Sequence, residues 1–296
     1  MRKFIALILS FMFMVCSYGS CFADSTNIIY DILNKPTSSS TGKDIIYGIL
    51  GKQKSEVKIK VLNENTVSDE LESENKIDTN TNKKINNIGN ADKNAYIKGL
   101  DISKWNGDID WDAVEKAGIK FVIIRAGYGT TVDYMFEKNI REAINHHMII
   151  GVYWFSYAYT DNMAIKEANK CAETISKYKK DITLPIFYDF EYDSVNYATR
   201  RGVTITKSNA SSFADKFCST IKKHGYNAGI YTNIDYANRY FTQNVLSKYH
   251  TWIAQWRSPC TYKHDYIIWQ RTDRYYIKNK MFDLDYFYFN RYTGGK

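Results

Sequence analysis

Two carboxylic acids lie two residues apart in one apolar segment of this sequence. Asp189 and Glu191 end the segment LPIFYDFE, which has the character of a buried strand. Side chains alternate between the faces of a strand, so both carboxyl groups point to the same side, with Cα atoms roughly 6–7 Å apart. Repulsion between close carboxylates raises the pKa of one of them and lets it hold a proton near neutral pH. A proton donor beside a group that stabilises a positive sugar is what glycoside hydrolysis requires.

A metal site is the rival use for such carboxylates. Histidine is a common ligand of catalytic metals, and none of the five histidines falls at the end of a predicted strand. His146 and His147 end a predicted helix, where a solvated face is the simpler interpretation. We therefore expect neither a metal nor another cofactor.

Further acids and aromatic residues lie at or near the ends of other apolar segments. Asp101 and Asp283 are such acids. For one acid alone, a helix N-cap or an ion pair is the simpler explanation, but burying four carboxylates is costly unless they are paired or used. For the aromatic candidates, packing in the core is the alternative to stacking on a sugar. The candidate substrate-binding residues are Arg125, Tyr128, Tyr153, Tyr231, Gln255 and Trp269.

Eight apolar segments suit the strands that would bring these residues together. Helical spacing between the first five segments predicts βα units, and that alternation predicts parallel strands. The pattern favours an α/β fold, an irregular (β/α) barrel of TIM type with about five βα units followed by three strands, in which the carboxyl ends of the strands carry the active site. An open doubly wound sheet is the alternative, but DISKWNGD after the first strand lacks the usual glycine-rich loop. The strands are predicted at 97–103, 120–129, 149–158, 184–191, 227–233, 250–256, 265–270 and 281–287.

The composition divides the 296 residues into three parts. Residues 1–23 have the charged start, short apolar run and small residues of a secretory signal peptide, which predicts a secreted protein that lies outside the membrane once the signal is removed. Residues 24–95 are polar, and we expect a mostly disordered spacer. Residues 96–296 hold the predicted barrel. There we interpret Cys171 and Cys218 as small apolar helix residues.

The predicted barrel carries a net charge of +7, nearly all of the excess of 40 Lys and Arg over 32 Asp and Glu. A basic domain favours adsorption to anionic wall polymers. The lysines are scattered rather than clustered, which argues against nucleic-acid binding, and solubility alone is a further explanation. We expect a monomer.

The segments from Lys98 to about Asn290 resemble the family 25 glycoside hydrolases, the Ch-type lysozymes that cut peptidoglycan. The resemblance follows the chain in order, through GLDISKWNGDIDW, FVIIRAGYGT, GVYWFSYA, LPIFYDFE, WIAQW, IIWQ and FDLDYF. It implies Glu191 as general acid and base, Asp189 as the partner that orients the substrate's N-acetyl group, and Asp101 and Asp283 as further active-site acids. The implied reaction is metal-independent β-1,4 cleavage between N-acetylmuramic acid and N-acetylglucosamine, with retention of configuration and assistance from the substrate.

Two other functions stay open at this point. An endo-N-acetylglucosaminidase or chitinase-like enzyme would use a related barrel, although the D-x-x-D-x-D-x-E run of chitinases is absent before Glu191. A non-catalytic wall-binding module would need no acids, whereas all four are present. The sequence departs from the family pattern at Arg271 and Asp285, where relatives often have an aromatic residue and Asn, and we expect both to be peripheral.

Overall fold

The computed structural model of the chain describes residues 92–292. The predicted signal peptide at 1–23 lies outside the described residues, as does the predicted spacer at 24–95 except for its last four positions. In the part that is described, no helix is long and apolar enough to cross a membrane.

A closed eight-stranded barrel with helices around it makes up the described chain, which confirms the predicted fold class. Neighbouring strands follow the order β1-β9-β8-β7-β6-β5-β4-β2, and β1 pairs with β2 to close the barrel. A two-residue strand, β3, extends the edge of β2 and had no signal in the sequence. The strands are β1 Ile97–Ile102, β2 Ile119–Tyr128, β3 Thr131–Val132, β4 Ile149–Phe155, β5 Ile182–Asp189, β6 Ala228–Asn233, β7 His250–Ala254, β8 Ile268–Ile277 and β9 Lys280–Phe287.

Helices follow the first five parallel strands, as predicted, and none separates the last three. Side-chain caps set where several helices begin: Thr160 accepts a hydrogen bond from the Met163 amide, and Thr206 accepts one from the Asn209 amide. The helices are α1 Trp111–Lys116, α2 Phe136–Asn145, α3 Asp161–Ile175, α4 Tyr192–Thr199, α5 Lys207–Lys223, α6 Ile234–Arg239 and α7 Gln243–Lys248.

The last strand runs against the direction of the other seven barrel strands. β8 is parallel to β7, but β9 is antiparallel to both β8 and β1. Only residues 278–279 join β8 to β9, and so short a connection permits only a hairpin. β8 also lies further along the chain than predicted, so Trp269 and Gln270 belong to its beginning rather than to its end.

Three apolar clusters form the core of the described residues: one between the helices and the sheet, one inside the barrel, and a small one of outward-facing residues that includes Trp269 and Tyr288. Large rings inside the barrel lie over glycines of neighbouring strands: Phe121 faces Gly99, and Phe187 faces Gly229. A Cβ atom at Gly229 would lie 2.5 Å from the Phe187 ring. Cys171 and Cys218 are fully buried on α3 and α5, as their helical spacing predicted.

Candidate active site

The four predicted acids meet at the carboxyl-end rim of the barrel. Asp101 lies near the end of β1 and Asp189 is the last residue of β5, while Glu191 is the N-cap of α4. Strand pairing places Asp283 of β9 directly opposite Asp101. Asp283 reaches the same rim from the early part of its strand because β9 runs in the opposite direction.

Asp189 and Glu191 form a pair of carboxyl groups that differ in how deeply they are buried. Asp189 is buried at 4% exposure, whereas Glu191 remains partly exposed. Burial, followed by the nearby charge of Glu191, raises the pKa of Asp189, and burial raises the pKa of Glu191 as well. The two carboxyl groups are in hydrogen-bonding contact, so the protonation of one depends on that of the other. Glu191, the more exposed of the two acids, can exchange a proton with a molecule in the cleft.

The backbone at Glu191 is held by the start of α4. Its amide donates to Ser194 Oγ at 3.0 Å. The Tyr231 hydroxyl also lies within hydrogen-bonding contact of the Glu191 carboxyl group. These contacts restrict the direction in which Glu191 presents its carboxyl group.

Three more acids form a second group on β1 and β9. Burial, followed by the charge of Asp285, raises the pKa of Asp101, and burial followed by the charge of Asp101 raises the pKa of Asp283 to about 9. Asp285 has no exposed surface, and its Oδ1 accepts from Trp252 Nε1 at 2.8 Å. Asp285 contacts Asp101 directly, so it is part of the site and not peripheral as the sequence suggested.

Gln270 connects the two groups of acids and was not among the predicted site residues. Its Nε2 donates to Asp101 Oδ2 at 2.8 Å, and its Oε1 accepts from the Tyr231 hydroxyl at 3.0 Å. The exposed Trp256 donates to the same Oε1 at 3.1 Å. The period of two in β8 contained the signal, because an outward Trp269 makes its neighbour Gln270 face inward.

Four of the six predicted substrate-binding residues lie near the acids. Tyr153 and Tyr231 are buried inside the barrel, where both rings pack against Trp252. Arg125 is also buried, with its Nε 2.7 Å from Asp133 Oδ2, and its guanidinium lies 5.4 Å from the ring centre of the partly exposed Tyr128.

Gln255 and Trp269 are placed elsewhere, and for Trp269 the prediction of sugar stacking needs correction. Its ring is 3% exposed among outward-facing aromatic residues, and its Nε1 donates to the Gln255 carbonyl at 2.9 Å. Gln255 uses its side chain to hold Thr261 through two hydrogen bonds. Both residues fix the loop after β7 rather than face the acids.

Exposed aromatic rings on rim segments are the residues that sequence reasoning missed. Trp105 is 79% exposed and Tyr134 is 74% exposed, and Tyr192 and Trp256 are also largely exposed. They occur after β1, β3, β5 and β7, where Tyr192 begins α4 and Trp256 is the last residue of the strand predicted at 250–256. No pattern in the sequence distinguished them from aromatic residues of the core.

Within residues 92–292, no group of three or more His, Cys, Asp or Glu side chains is arranged to hold a metal ion.

A pair of carboxyl groups, one buried and one partly exposed, on the carboxyl-end rim of a (β/α) barrel is the arrangement that barrel glycoside hydrolases use. The model of the glycosyl hydrolases family 25 matches residues 100–280, and the chain belongs to this family. It is 33% identical over 108 residues to Lysozyme M1 of Streptomyces globisporus, a match that covers 36% of each chain.

Solved structures of similar proteins agree with the family. The modular autolysin LytC from Streptococcus pneumoniae, in complex with synthetic peptidoglycan ligand, has 27% identity and a TM-score of 0.58, covering 65% of this chain and 47% of its own. A family 25 glycosyl hydrolase from Bacillus anthracis has 26% identity and a TM-score of 0.55, covering 65% and 88% of the two chains. The chain thus spans about a third of the curated lysozyme and about half of the autolysin.

Proposed function

We propose that this protein is a peptidoglycan hydrolase that cleaves β-1,4 bonds between N-acetylmuramic acid and N-acetylglucosamine. The observation that carries the proposal is the pair of Asp189 and Glu191, one buried and one partly exposed, in hydrogen-bonding contact at the rim of a family 25 barrel. Its relatives support the substrate class, since one is a lysozyme and another binds a peptidoglycan ligand.

In the proposed reaction, Glu191 donates a proton to the glycosidic oxygen. The acetamido oxygen of the substrate attacks the anomeric carbon as the bond to the glycosidic oxygen breaks, the leaving sugar departs as an alcohol, and Asp189 stabilises the oxazolinium-like intermediate. Water then attacks the anomeric carbon and displaces the acetamido oxygen while Glu191 removes a proton from the water, so the configuration is retained. The partial exposure of Glu191 and its raised pKa suit the proton donor, and the buried position of Asp189 suits the stabilising partner.

Asp101 and Asp283 have a supporting part in this proposal. Burial raises the pKa of both acids, and that of Asp283 to about 9. A protonated Asp283 offers a hydrogen-bond donor to sugar hydroxyl and acetamido oxygens near neutral pH. Arg125, Tyr128, Tyr153 and Tyr231 complete the proposed substrate-binding residues.

The proposed place of action is outside the cell, at a wall. A signal peptide at 1–23 would direct secretion, and the net charge of +7 on residues 96–296 would favour adsorption to anionic wall polymers. A monomer that needs neither metal nor nucleic acid is consistent with this role.

Replacing Glu191 with Gln tests the proposal because it removes the proton donor and preserves shape. We expect wall lysis, followed as loss of turbidity, to fall at least about 1000-fold while the fold persists. Glu173→Gln is the matched control, since Glu173 is exposed on α3 and pairs with Lys170 at 3.1 Å. Lysis by Glu191→Gln at a near-normal rate would contradict the assignment.

Product analysis distinguishes the proposed reaction from its alternatives. Mass spectrometry of digested peptidoglycan should find muramic acid at the new reducing ends. Glucosamine at those ends would instead indicate an endo-N-acetylglucosaminidase. Binding to wall without any cleavage would indicate a non-catalytic module.

A further inference from the structure

A lysine surrounded by aromatic rings lies on the rim next to the acid cluster. Lys104 follows β1 in a short 3-10 turn, Lys104–Asn106, just beyond Asp101. Its Nζ lies 4.5 Å from the ring centre of Tyr128, 4.9 Å from that of Trp105 and 5.9 Å from that of Tyr134. The Tyr128 hydroxyl accepts a hydrogen bond from this Nζ at 3.1 Å. The three rings hold one ammonium group in place beside the cleft.

The charge of Lys104 is not balanced by a carboxylate. Among residues 92–292, Lys104 takes part in no ion pair, whereas Arg125, Lys138 and Lys278 each pair with an aspartate. Asp133 is the nearest buried acid, but its Oδ2 already pairs with Arg125 Nε at 2.7 Å and only accepts from the Lys104 backbone amide at 3.1 Å. Asp133 therefore neutralises Arg125 and leaves the Lys104 ammonium without a carboxylate partner.

A second unsatisfied donor lies on the same side of the site. Arg125 Nη2 is buried and has no hydrogen-bond partner within the described residues. Leaving a buried donor of a charged group without a partner costs more than about 1–3 kcal/mol, so a ligand atom that pairs with it is strongly favoured. Arg125 also lies close enough to Asp189 for its charge to oppose the rise in the pKa of Asp189 that burial causes.

The rings around this ammonium are themselves open to solvent. Trp105 and Tyr134 are 79% and 74% exposed, which is unusual for such large apolar groups that bind nothing. Exposed aromatic faces stack on the apolar faces of sugars, and a fixed ammonium attracts a carboxylate. Together they suit a sugar that bears an anionic substituent.

We propose that Lys104, Trp105, Tyr128 and Tyr134 form a subsite for a carboxylate-bearing substituent of the sugar, an inference that rests on the proposed cleavage of a muramic-acid glycan. The carboxylate has two possible sources, the lactyl ether of muramic acid or the peptide joined to it. Uncharged chitin has neither, so the subsite would favour peptidoglycan over chitin.

The test uses one glycan in two charge states. Muramic-acid oligosaccharides with free lactyl carboxylates are compared with the same oligosaccharides after conversion to neutral methylamides. For the full-length protein, we expect kcat/KM about tenfold higher for the acid form, with most of the difference in KM, and a smaller preference at high salt. Equal rates on the two forms by the unaltered protein would overturn the subsite.

Variants at position 104 test whether Lys104 causes the preference for the acid form. In Lys104→Met, the ratio of kcat/KM on the acid form to kcat/KM on the amide form should lie within about twofold of one. Lys104→Arg should restore most of the preference for the acid form. Lys166→Met is the control, because Lys166 is exposed on α3, away from the rim, and its ratio should match that of the unaltered protein. A Lys104→Met variant that keeps the tenfold preference, or that loses activity equally on both glycans, would contradict the proposal.

A third substrate separates the two sources of the carboxylate. On a glycan that retains its peptides, the lactyl group is an amide, so a penalty in Lys104→Met as large as on the free lactyl form shows that peptide carboxylates also occupy the subsite, and a penalty confined to the free lactyl form identifies the lactyl group. Either result supports the subsite. If the unaltered protein cleaves none of these glycans, the proposed function itself fails, whereas cleavage of all of them without a charge preference removes the subsite alone.

Discussion

Glu167 should make the stability of this protein depend on pH, and Glu167→Gln should remove that dependence. Glu167 is 3% exposed on α3, where it accepts from Ser156 Oγ at 2.5 Å and from the Tyr157 amide at 2.9 Å. Ser156 in turn donates its amide to the Asp189 carbonyl at 2.7 Å. This acid therefore fastens the segment after β4 to the strand that carries Asp189.

Burial without a cationic partner raises the pKa of Glu167 from 4.5 to about 8. Below pH 4.5 both the folded and the unfolded chain hold the proton, so Glu167 does not make the free energy of unfolding depend on pH. Between pH 4.5 and about 8 only the unfolded chain releases it, so stability falls as pH rises. At about 1.4 kcal/mol per pH unit, the loss reaches at most about 5 kcal/mol and is complete above the folded-state pKa.

Glutamine is neutral at every pH and keeps an acceptor for the Tyr157 amide and a donor for Ser156 Oγ. Urea unfolding of the full chain, followed by tryptophan fluorescence from pH 5 to pH 8, measures the difference. We expect Glu167→Gln to match the unaltered protein within about 1 kcal/mol at pH 5 and to exceed it by several kcal/mol at pH 8. Glu173→Gln, exposed on the same helix, should show no such trend. A difference that stays constant across this range would refute the reasoning.

Two further predictions concern the side chains that connect the acids. Gln270→Leu removes the donor to Asp101 and the acceptor for Tyr231 and Trp256, so we expect kcat to fall about 10- to 100-fold in a turbidity assay, with near-normal activity as the opposing result. Asp285→Asn keeps an acceptor for the Trp252 indole and a donor towards Asp101, whereas Asp285→Leu leaves the indole N–H unsatisfied. Thermal unfolding should therefore show a loss of about 2–4 kcal/mol for Leu and about 1 kcal/mol or less for Asn, and equal losses would argue against this pairing.

The strands and helices could be predicted because their patterns are local. The buried positions of α3, which include Ala164, Ala168 and Cys171, follow the helical period, and the apolar runs of β1, β2 and β4 need no distant contact to be recognised. The predicted bounds of β8 were wrong because the second half of the strand is polar and partly exposed, so an apolar run marks only its beginning. Its hairpin partner fixes where the strand ends.

The acids Asp101, Asp189, Glu191 and Asp283 were visible in the sequence because a carboxylate inside an apolar strand is unusual without a use. Asp189 and Glu191 could even be placed on one side of the chain from their spacing. What the sequence could not show is depth: Asp189 is buried while Glu191 reaches the cleft, because the strand ends between them and α4 begins.

Local patterns in the sequence thus determined the class of fold, the rim that carries the site and the residue types placed there. Tertiary structure alone decided that Gln270 joins the two acid groups, that Asp285 lies against Asp101 and that Trp269 faces away from the cleft. The physical reason is that these relations depend on strand register across the closed barrel, between residues far apart in the chain, such as Asp101 and Gln270 at a separation of 169 positions. Register is set by the packing of all the strands together, and a one-residue shift reverses which side chains face inward.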